Sequence, residues 1–361
     1  MNIQRRRSTP DTTPQQCILR IHYDSGPGNR LTLRGQGGGL SWEIGVGCHW
    51  HEGNVWHAPP LRDVESYKPL LNDAVWARGD NFVTRPGVHD IYPFFHSIDG
   101  TVTYHRDRYW SHLDDRRAVA VYLPPSYEEN RAKRYPILFM QDGQNLFDPG
   151  QATFGVAWRV DAALDHLACE GGITEALVVA PYSSDDGRMD EYTPTRDPGR
   201  RRGGRADAYL DFLLHELKPW VVDNFRTTGL AERVAIAGSS LGGLLSLYAA
   251  WTRPREFWCC GAFSPSLWWD GQRLMRDIET GRIPNEDLKI YLDSGDRGPG
   301  ADGMPLTRRL RDILMEKSWE LDSNLCYVLG EGHEHREAAW AERVHRAFAF
   351  LLEDPERVPP R

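Results

Sequence analysis

Two hydrophobic rhythms divide the chain. From Cys17 to about Ser97, apolar and polar residues alternate, as in Cys17-Ile18-Leu19-Arg20-Ile21-His22-Tyr23 and Arg30-Leu31-Thr32-Leu33-Arg34. A period of two is that of a half-buried strand. Gly35, Gly37, Gly38 and Gly39 punctuate these runs, and no useful helical period occurs before residue 100. The pattern predicts a small all-β sandwich over 17–98. Beyond Thr101 the rhythm changes. Apolar, β-rich runs at 118–123, 135–140, 176–180, 234–237, 257–263, 288–292 and 325–329 alternate with helix-period runs at 158–169, 206–225, 241–251, 306–317 and 336–352. Leu210, Leu213, Leu214, Leu217 and Val221 form one stripe of the 206–225 run. Alternating β and α predicts an α/β domain over 99–355, with a mostly parallel sheet and helices on both faces. Sites in such sheets lie beyond the carboxyl ends of the strands.

Composition narrows the class. The 361 residues, 40% hydrophobic and 26% charged, suit a globular chain of two domains. A net charge of -8 argues against nucleic acid as the main partner. No apolar run approaches the ~20 residues that span a bilayer, which argues against a membrane partner. Residues 1–16 are polar and predict a disordered tail. Its Arg5-Arg6-Arg7 run is followed by no apolar stretch, so no signal peptide is read and a cytoplasmic location is expected. The six cysteines are scattered without a C-x-x-C pair, as free thiols in a reducing compartment would be.

Chemistry concentrates at Gly238-Ser239-Ser240-Leu241-Gly242. An apolar strand run ends there and a helix run begins, which is the setting of a nucleophile elbow. In the α/β-hydrolase layout the chain order is serine, acid, histidine. The loop after the last strand run carries His333 and His335. His335, beside the helix start, is the candidate base for Ser240, with His333 competing. The loop after 288–292 carries Asp293, Asp296 and Asp302. Asp302 is the candidate acid and Asp296 the alternative, with Asp293 assigned a structural part. An oxyanion hole needs two backbone N–H groups. Leu241 supplies one, and Gly143 or Gln144, after the 135–140 strand, the other. Neither His333/His335 nor His49/His51 comes with further ligands at metal-binding spacing.

These residues resemble the putative esterase family of α/β-hydrolases, which includes enterochelin esterases, feruloyl esterases and S-formylglutathione hydrolases. The matching pieces are Val121 to Tyr127, Met140-Gln141-Asp142-Gly143-Gln144-Asn145-Leu146-Phe147, Gly238 to Gly243, Phe263-Ser264-Pro265-Ser266-Leu267-Trp268-Trp269 and His335 to Trp340. The resemblance implies carboxyl-ester hydrolysis through an acyl-enzyme at Ser240, a small-molecule ester substrate, and no metal or organic cofactor. The N-terminal region resembles a starch-binding-type carbohydrate-binding module, through Leu40-Ser41-Trp42-Glu43, Val55-Trp56 and Tyr67 to Phe82. That resemblance implies a glycan partner at Trp42, Lys68 and Trp76. Pro69 restricts the strand carrying Lys68 to an edge or a bulge.

The 183–205 segment follows a strand end. Two readings stand: a lid over Ser240 whose arginines attract an acidic substrate, or a solvated, disordered loop. In the first, Arg188 and Tyr192 reach substrate together with Trp268 and Trp269. The rivals to an esterase are a carbohydrate-binding protein on a non-catalytic hydrolase scaffold and an acyltransferase acting on a sugar hydroxyl.

Overall fold

The computed structural model describes residues 17–284 and 287–358. The tail expected to be disordered, 1–16, lies outside the described residues. The described residues form two compact units, one within Met1–His96 and Pro355–Arg361, the other Ser97–Asp354.

In the first unit the alternating runs are strands. Cys17–His22 buries Cys17, Leu19 and Ile21 and turns Ile18, Arg20 and His22 outward. It lies between Val55–His57 and Gly87–Ile91, with His49–His51 beyond Val55–His57. A second sheet runs in the order Arg357–Val358, Asn81–Phe82, Val64–Leu71, Leu31–Gly37, Val46–Gly47. Leu19, Ile21, Leu31, Leu33, Trp56, Tyr67 and Phe82 share one core between the sheets. Pro69 is not on an edge strand; it lies where the pairing of Val64–Leu71 on one side is interrupted, between Val75–Trp76 and Asn81–Phe82. It pairs with Leu33 inside Val64–Leu71. Its carbonyl accepts from Ala77 N at 2.9 Å, so its nitrogen points the same way, and the missing N–H removes no bond to Leu31–Gly37. The Arg357–Val358 strand is two residues long, too short to leave a periodic signal.

The second unit holds an eight-stranded sheet among the described residues. In chain order its strands are β1 (Thr101–Trp110), β2 (Asp115–Leu123), β3 (Ile137–Met140), β4 (Leu177–Pro181), β5 (Val234–Ser239), β6 (Phe257–Phe263), β7 (Lys289–Gly295) and β8 (Leu325–Gly330). Across the sheet the order is β1-β2-β4-β3-β5-β6-β7-β8. The β1–β2 and β2–β4 junctions are antiparallel, and every other junction is parallel. The principal helices are α1 (Val160–Glu170), α2 (206–224), α3 (Leu241–Thr252), α4 (Trp269–Thr280), α5 (Met304–Glu316) and α6 (Glu337–Leu351). The middle of α2, Leu213–Leu217, is a π turn.

Side-chain alternation along the strands builds two cores. Val119, Val121, Phe139, Val179, Ile236 and Leu292 face α2, α3, α4 and α5. Ala120, Tyr122, Leu138, Val178, Ala237 and Tyr291 face α1 and α6. Strands buried on both sides explain why their sequences read as continuous apolar runs. Two elements carry no such run. The β1 strand is mostly exposed, and α4 opens with left-handed residues at Asp270, Gly271 and Gln272.

An ion pair is enclosed where β7 meets α6. Arg343 donates to both oxygens of Asp293, at 2.8 and 3.2 Å, and both side chains are at most 3% exposed. Ser264 N and Tyr291 OH also donate to Asp293. Arg343→Met is expected to destabilise the unit by about 3–5 kcal/mol, because it strands a buried carboxylate. Urea midpoints check this, and the double substitution with Asp293→Asn should cost less than the two single changes added together.

Candidate active site

Five loops converge beyond the carboxyl ends of the parallel strands: those after β3, β5, β6, β7 and β8. The β5–α3 turn is the tightest. Ser240 adopts φ 56°, ψ −118°, a conformation rare for a residue with a side chain. Its N–H donates to Phe263 O at 2.9 Å, and its carbonyl accepts from Ser266 N at 2.9 Å and Leu244 N at 3.1 Å. The flanking glycines have no room for a side chain. A Cβ on Gly238 would lie 2.9 Å from the carbonyl carbon of Gly242 and 3.1 Å from Gln141. A Cβ on Gly242 would also meet Gln141 at 3.1 Å.

His335 reaches this turn from the β8–α6 loop. Its Nε2 lies 3.0 Å from Ser240 Oγ and its Nδ1 lies 2.5 Å from Asp302 Oδ1. An ionised carboxylate only accepts, so Nδ1 carries the proton and Nε2 accepts from the serine hydroxyl. The edge of the ring meets Trp340, with centroids 5.0 Å apart. Asp302 stands on a left-handed backbone, φ 52°, and its side chain is fully enclosed. Its other oxygen accepts from Ser264 Oγ at 2.6 Å and Gly295 N at 2.5 Å. Burial alone would raise this carboxyl, but the hydrogen bonds from His335, Ser264 and Gly295 outweigh it and hold Asp302 below its ordinary value.

The neighbouring candidates have other partners. Asp296 accepts from Gly332 N at 2.7 Å, which ties the acid loop to the histidine loop. His333 bonds Arg343 through Nδ1 at 2.8 Å and faces Glu342 at 3.0 Å through Nε2. Leu241 opens α3 directly after Ser240. Gly143 abuts β4 so closely that a Cβ would lie 2.2 Å from Ala180 O. The Gln144 amide pairs with Ser183, donating to its Oγ at 2.7 Å and accepting from its N–H at 3.2 Å.

The 183–205 segment is folded, not a solvated loop. It contains the helical turn Arg188–Glu191 and a hairpin pairing Arg196–Asp197 with Arg202–Gly203. Its Glu191 is 4% exposed and receives two bonds from Arg117, at 2.9 and 3.0 Å. Two residues expected to reach substrate are in the core instead. Tyr192 is fully buried, and Trp269 is 2% exposed with its indole N–H donating to Thr195 O. Trp268 is 43% exposed, with the Arg200 guanidinium 4.6 Å above its ring. Arg188 is partly exposed and donates to both oxygens of Asp142 at 2.7 Å.

In the first unit Trp42 and Trp76 are both partly exposed, with ring centroids 6.1 Å apart. The Arg34 guanidinium lies over Trp76 and donates to Asp73. Lys68 donates its ammonium to Gly79 O.

Sequence reasoning missed Ser264, Ser266, Arg343 and Glu337. Ser266 Oγ lies 3.2 Å from Ser240 Oγ. Ser264 links Asp302 to Trp340, whose indole N–H donates to its Oγ at 3.0 Å. Glu337 is 8% exposed. Burial and the nearby Asp142 raise its carboxyl, against His335 and Arg188. The two serines stand in the Phe263-to-Trp269 stretch, whose polar positions inside an apolar run were the available signal.

Residues 111–351 match the family model described as Putative esterase. The chain belongs to that family. Over 186 residues it is 34% identical to the siderophore triacetylfusarinine C esterase of Aspergillus fumigatus, covering 49% of this chain and 61% of that enzyme. A solved ferulic acid esterase superposes with TM-score 0.54 at 18% identity, covering 70% of this chain and 98% of that one. The enterobactin esterase FES from Shigella flexneri superposes with TM-score 0.52 at 17% identity, covering 88% and 87%. Among the described residues no helix is long and apolar enough to cross a membrane, and no group of three or more His, Cys, Asp or Glu is placed to hold a metal ion.

The buried carboxylate makes a pH prediction. Asp302 titrates lower in the folded chain than its ordinary 3.8, so the unfolded chain takes up that proton first as pH falls. Its contribution to stability is therefore complete above about pH 4–5 and is lost as pH falls through the native value. Thermal unfolding between pH 6 and 3 should show a shallower acid loss in Asp302→Asn than in wild type.

Proposed function

We propose that this chain is a serine carboxylesterase of the α/β-hydrolase fold, cleaving a small-molecule carboxyl ester through an acyl-enzyme at Ser240. One observation carries the reading: the continuous hydrogen-bond chain Ser240–His335–Asp302, at 3.0 and 2.5 Å. Separate loops deliver these groups, and a structural role alone does not require a serine at φ 56° beside an imidazole.

In this mechanism His335 Nε2 takes the Ser240 proton as Oγ attacks the ester carbonyl carbon. The negative charge passes to the carbonyl oxygen, where the N–H groups of Leu241 and of Gly143 or Gln144 receive it. Asp302 stays ionised and stabilises the imidazolium. The imidazolium then gives its proton to the leaving alkoxide, the C–O bond breaks, and the acyl group remains on Ser240. Water repeats the sequence with His335 as base and releases the acid. The route uses no metal or organic cofactor. Trp268 and Arg200 supply an aromatic and cationic substrate contact. Names such as triacetylfusarinine C esterase and enterobactin esterase support siderophore esters as the first substrates to try. The exposed Trp42 and Trp76 rings support a glycan contact in the first unit, with Lys68 turned to Gly79.

Ser240→Ala should lower p-nitrophenyl acetate turnover by about 10,000-fold or more and abolish fluorophosphonate labelling. A folded mutant that keeps turning over would exclude Ser240 as the nucleophile. For the first unit, wild type should be retarded in a starch affinity gel and Trp76→Ala should not. Equal mobility of wild type in gels with and without starch would remove the glycan reading and leave the esterase reading intact.

A further inference from the structure

The loop that follows β3, residues 141–145, is fastened from one side. Asp142 has a left-handed backbone, φ 57°, and is 5% exposed. Its carboxylate receives both Nε and Nη2 of Arg188 at 2.7 Å. Its N–H donates to the buried hydroxyl of Tyr192 at 3.2 Å. Two residues on, the Gln144 amide is matched donor to acceptor with Ser183. All three anchors, Ser183, Arg188 and Tyr192, come from the 183–205 segment. That segment is in turn held by the Arg117–Glu191 pair and by Trp269 on Thr195 O. Between the anchored residues stands Gly143, packed on Ala180 O.

We infer that Arg188 and Tyr192 are positioning residues, and that the 183–205 segment is a clamp setting the backbone N–H groups of Gly143 and Gln144 for the oxyanion. This inference rests on the esterase reading above and deepens it. A bidentate guanidinium–carboxylate pair fixes distance and plane together, which a lysine cannot do. Arg188 stays charged, since Asp142 more than offsets the burial that would favour its neutral form. With two nitrogens committed to Asp142, the guanidinium acts through the loop. Displacing an oxyanion donor by about 1 Å costs rate more than binding.

The test uses the whole chain, with p-nitrophenyl acetate as a neutral ester, the half-ester p-nitrophenyl succinate as an anionic one, and a trifluoromethyl ketone as a mimic of the tetrahedral adduct. Arg188→Met is expected to lower kcat for the neutral ester by about 10- to 100-fold while KM moves by less than about 3-fold, and to weaken ketone inhibition by a similar factor. Arg188→Lys should recover only part of this, and Tyr192→Phe should show a smaller loss in the same direction. Should Arg188→Met fail to fold, Ser183→Ala, which removes the Oγ acceptor of the Gln144 amide and keeps the backbone bond, should show a smaller loss that is likewise weighted to kcat. Unchanged kcat and ketone affinity in the folded variants would overturn the inference, as would a loss confined to KM for the anionic ester. Wild type that turns over no ester would overturn the esterase reading and this inference together.

Discussion

The backbone of Ser240 is the constraint around which the second unit is organised. A non-glycine residue at φ 56°, ψ −118° carries strain of order 1–3 kcal/mol, which only over-determined surroundings can hold. Those surroundings are supplied by the sheet. Phe263 O, at the end of β6, accepts the Ser240 N–H, and Ser266 N, just beyond, donates to the Ser240 carbonyl. The turn is thus clamped by the neighbouring strand as well as by its own helix. Gly238 and Gly242 let β5 and α3 approach over Gln141, and Gln141 leads into the loop that carries Gly143. The same steric fact therefore fixes the serine and brings the β3 loop to it.

Three acids stand at the end of β7 or in the loop after it, and burial with partner choice separates their work. Asp293 is fully buried and faces a fully charged partner, Arg343, so it holds α6 against the sheet. Asp302 is as deeply enclosed but faces a histidine, a hydroxyl and an amide, so its charge is held by hydrogen bonds and remains directed at His335. Asp296 is left to secure Gly332. Arg343 also touches His333 and Ser264, so the structural ion pair and the candidate acid are coupled through one hydroxyl. A change at Asp293 would consequently be felt at Asp302 without touching it.

Much of this was legible because the β/α rhythm and the site obey local rules. Strands buried on both faces wrote themselves as apolar runs, and a glycine-flanked serine at a strand-to-helix junction marks its own turn. What was not legible depends on long-range pairing. The β1 strand is too exposed to show a period, and α4 begins in a left-handed turn that no propensity announces. The separation of Asp302 from Asp296 needed the fold of 299–303, where consecutive left-handed residues swing Asp302 back under Ser264. Pro69 shows a related limit. The side to which its missing donor points is a property of the ladder, not of the residue.

Residues 183–205 show the same limit in its most consequential form. Arginine-rich and flanked by glycines, the segment reads as solvent-facing from composition alone. Two of its charges are in fact paired inward, Arg188 on Asp142 and Glu191 on Arg117, while Arg202 pairs with Asp190 at the surface. The pairs join this segment to itself, to the 141–145 loop and to β2. A flexible lid gains from few such bonds, because opening must break them. A segment tied down at Ser183, Arg188, Tyr192 and Thr195 is built to stay in place. On the proposed esterase reading, rigidity there suits a loop whose N–H groups would stand ready before charge develops, since preorganised donors need no rearrangement at the moment of reaction. On the proposed reading, substrate contacts fall to the groups that face outward. Trp268 is the clearest of these, with the Arg200 guanidinium over its ring and paired to Asp197.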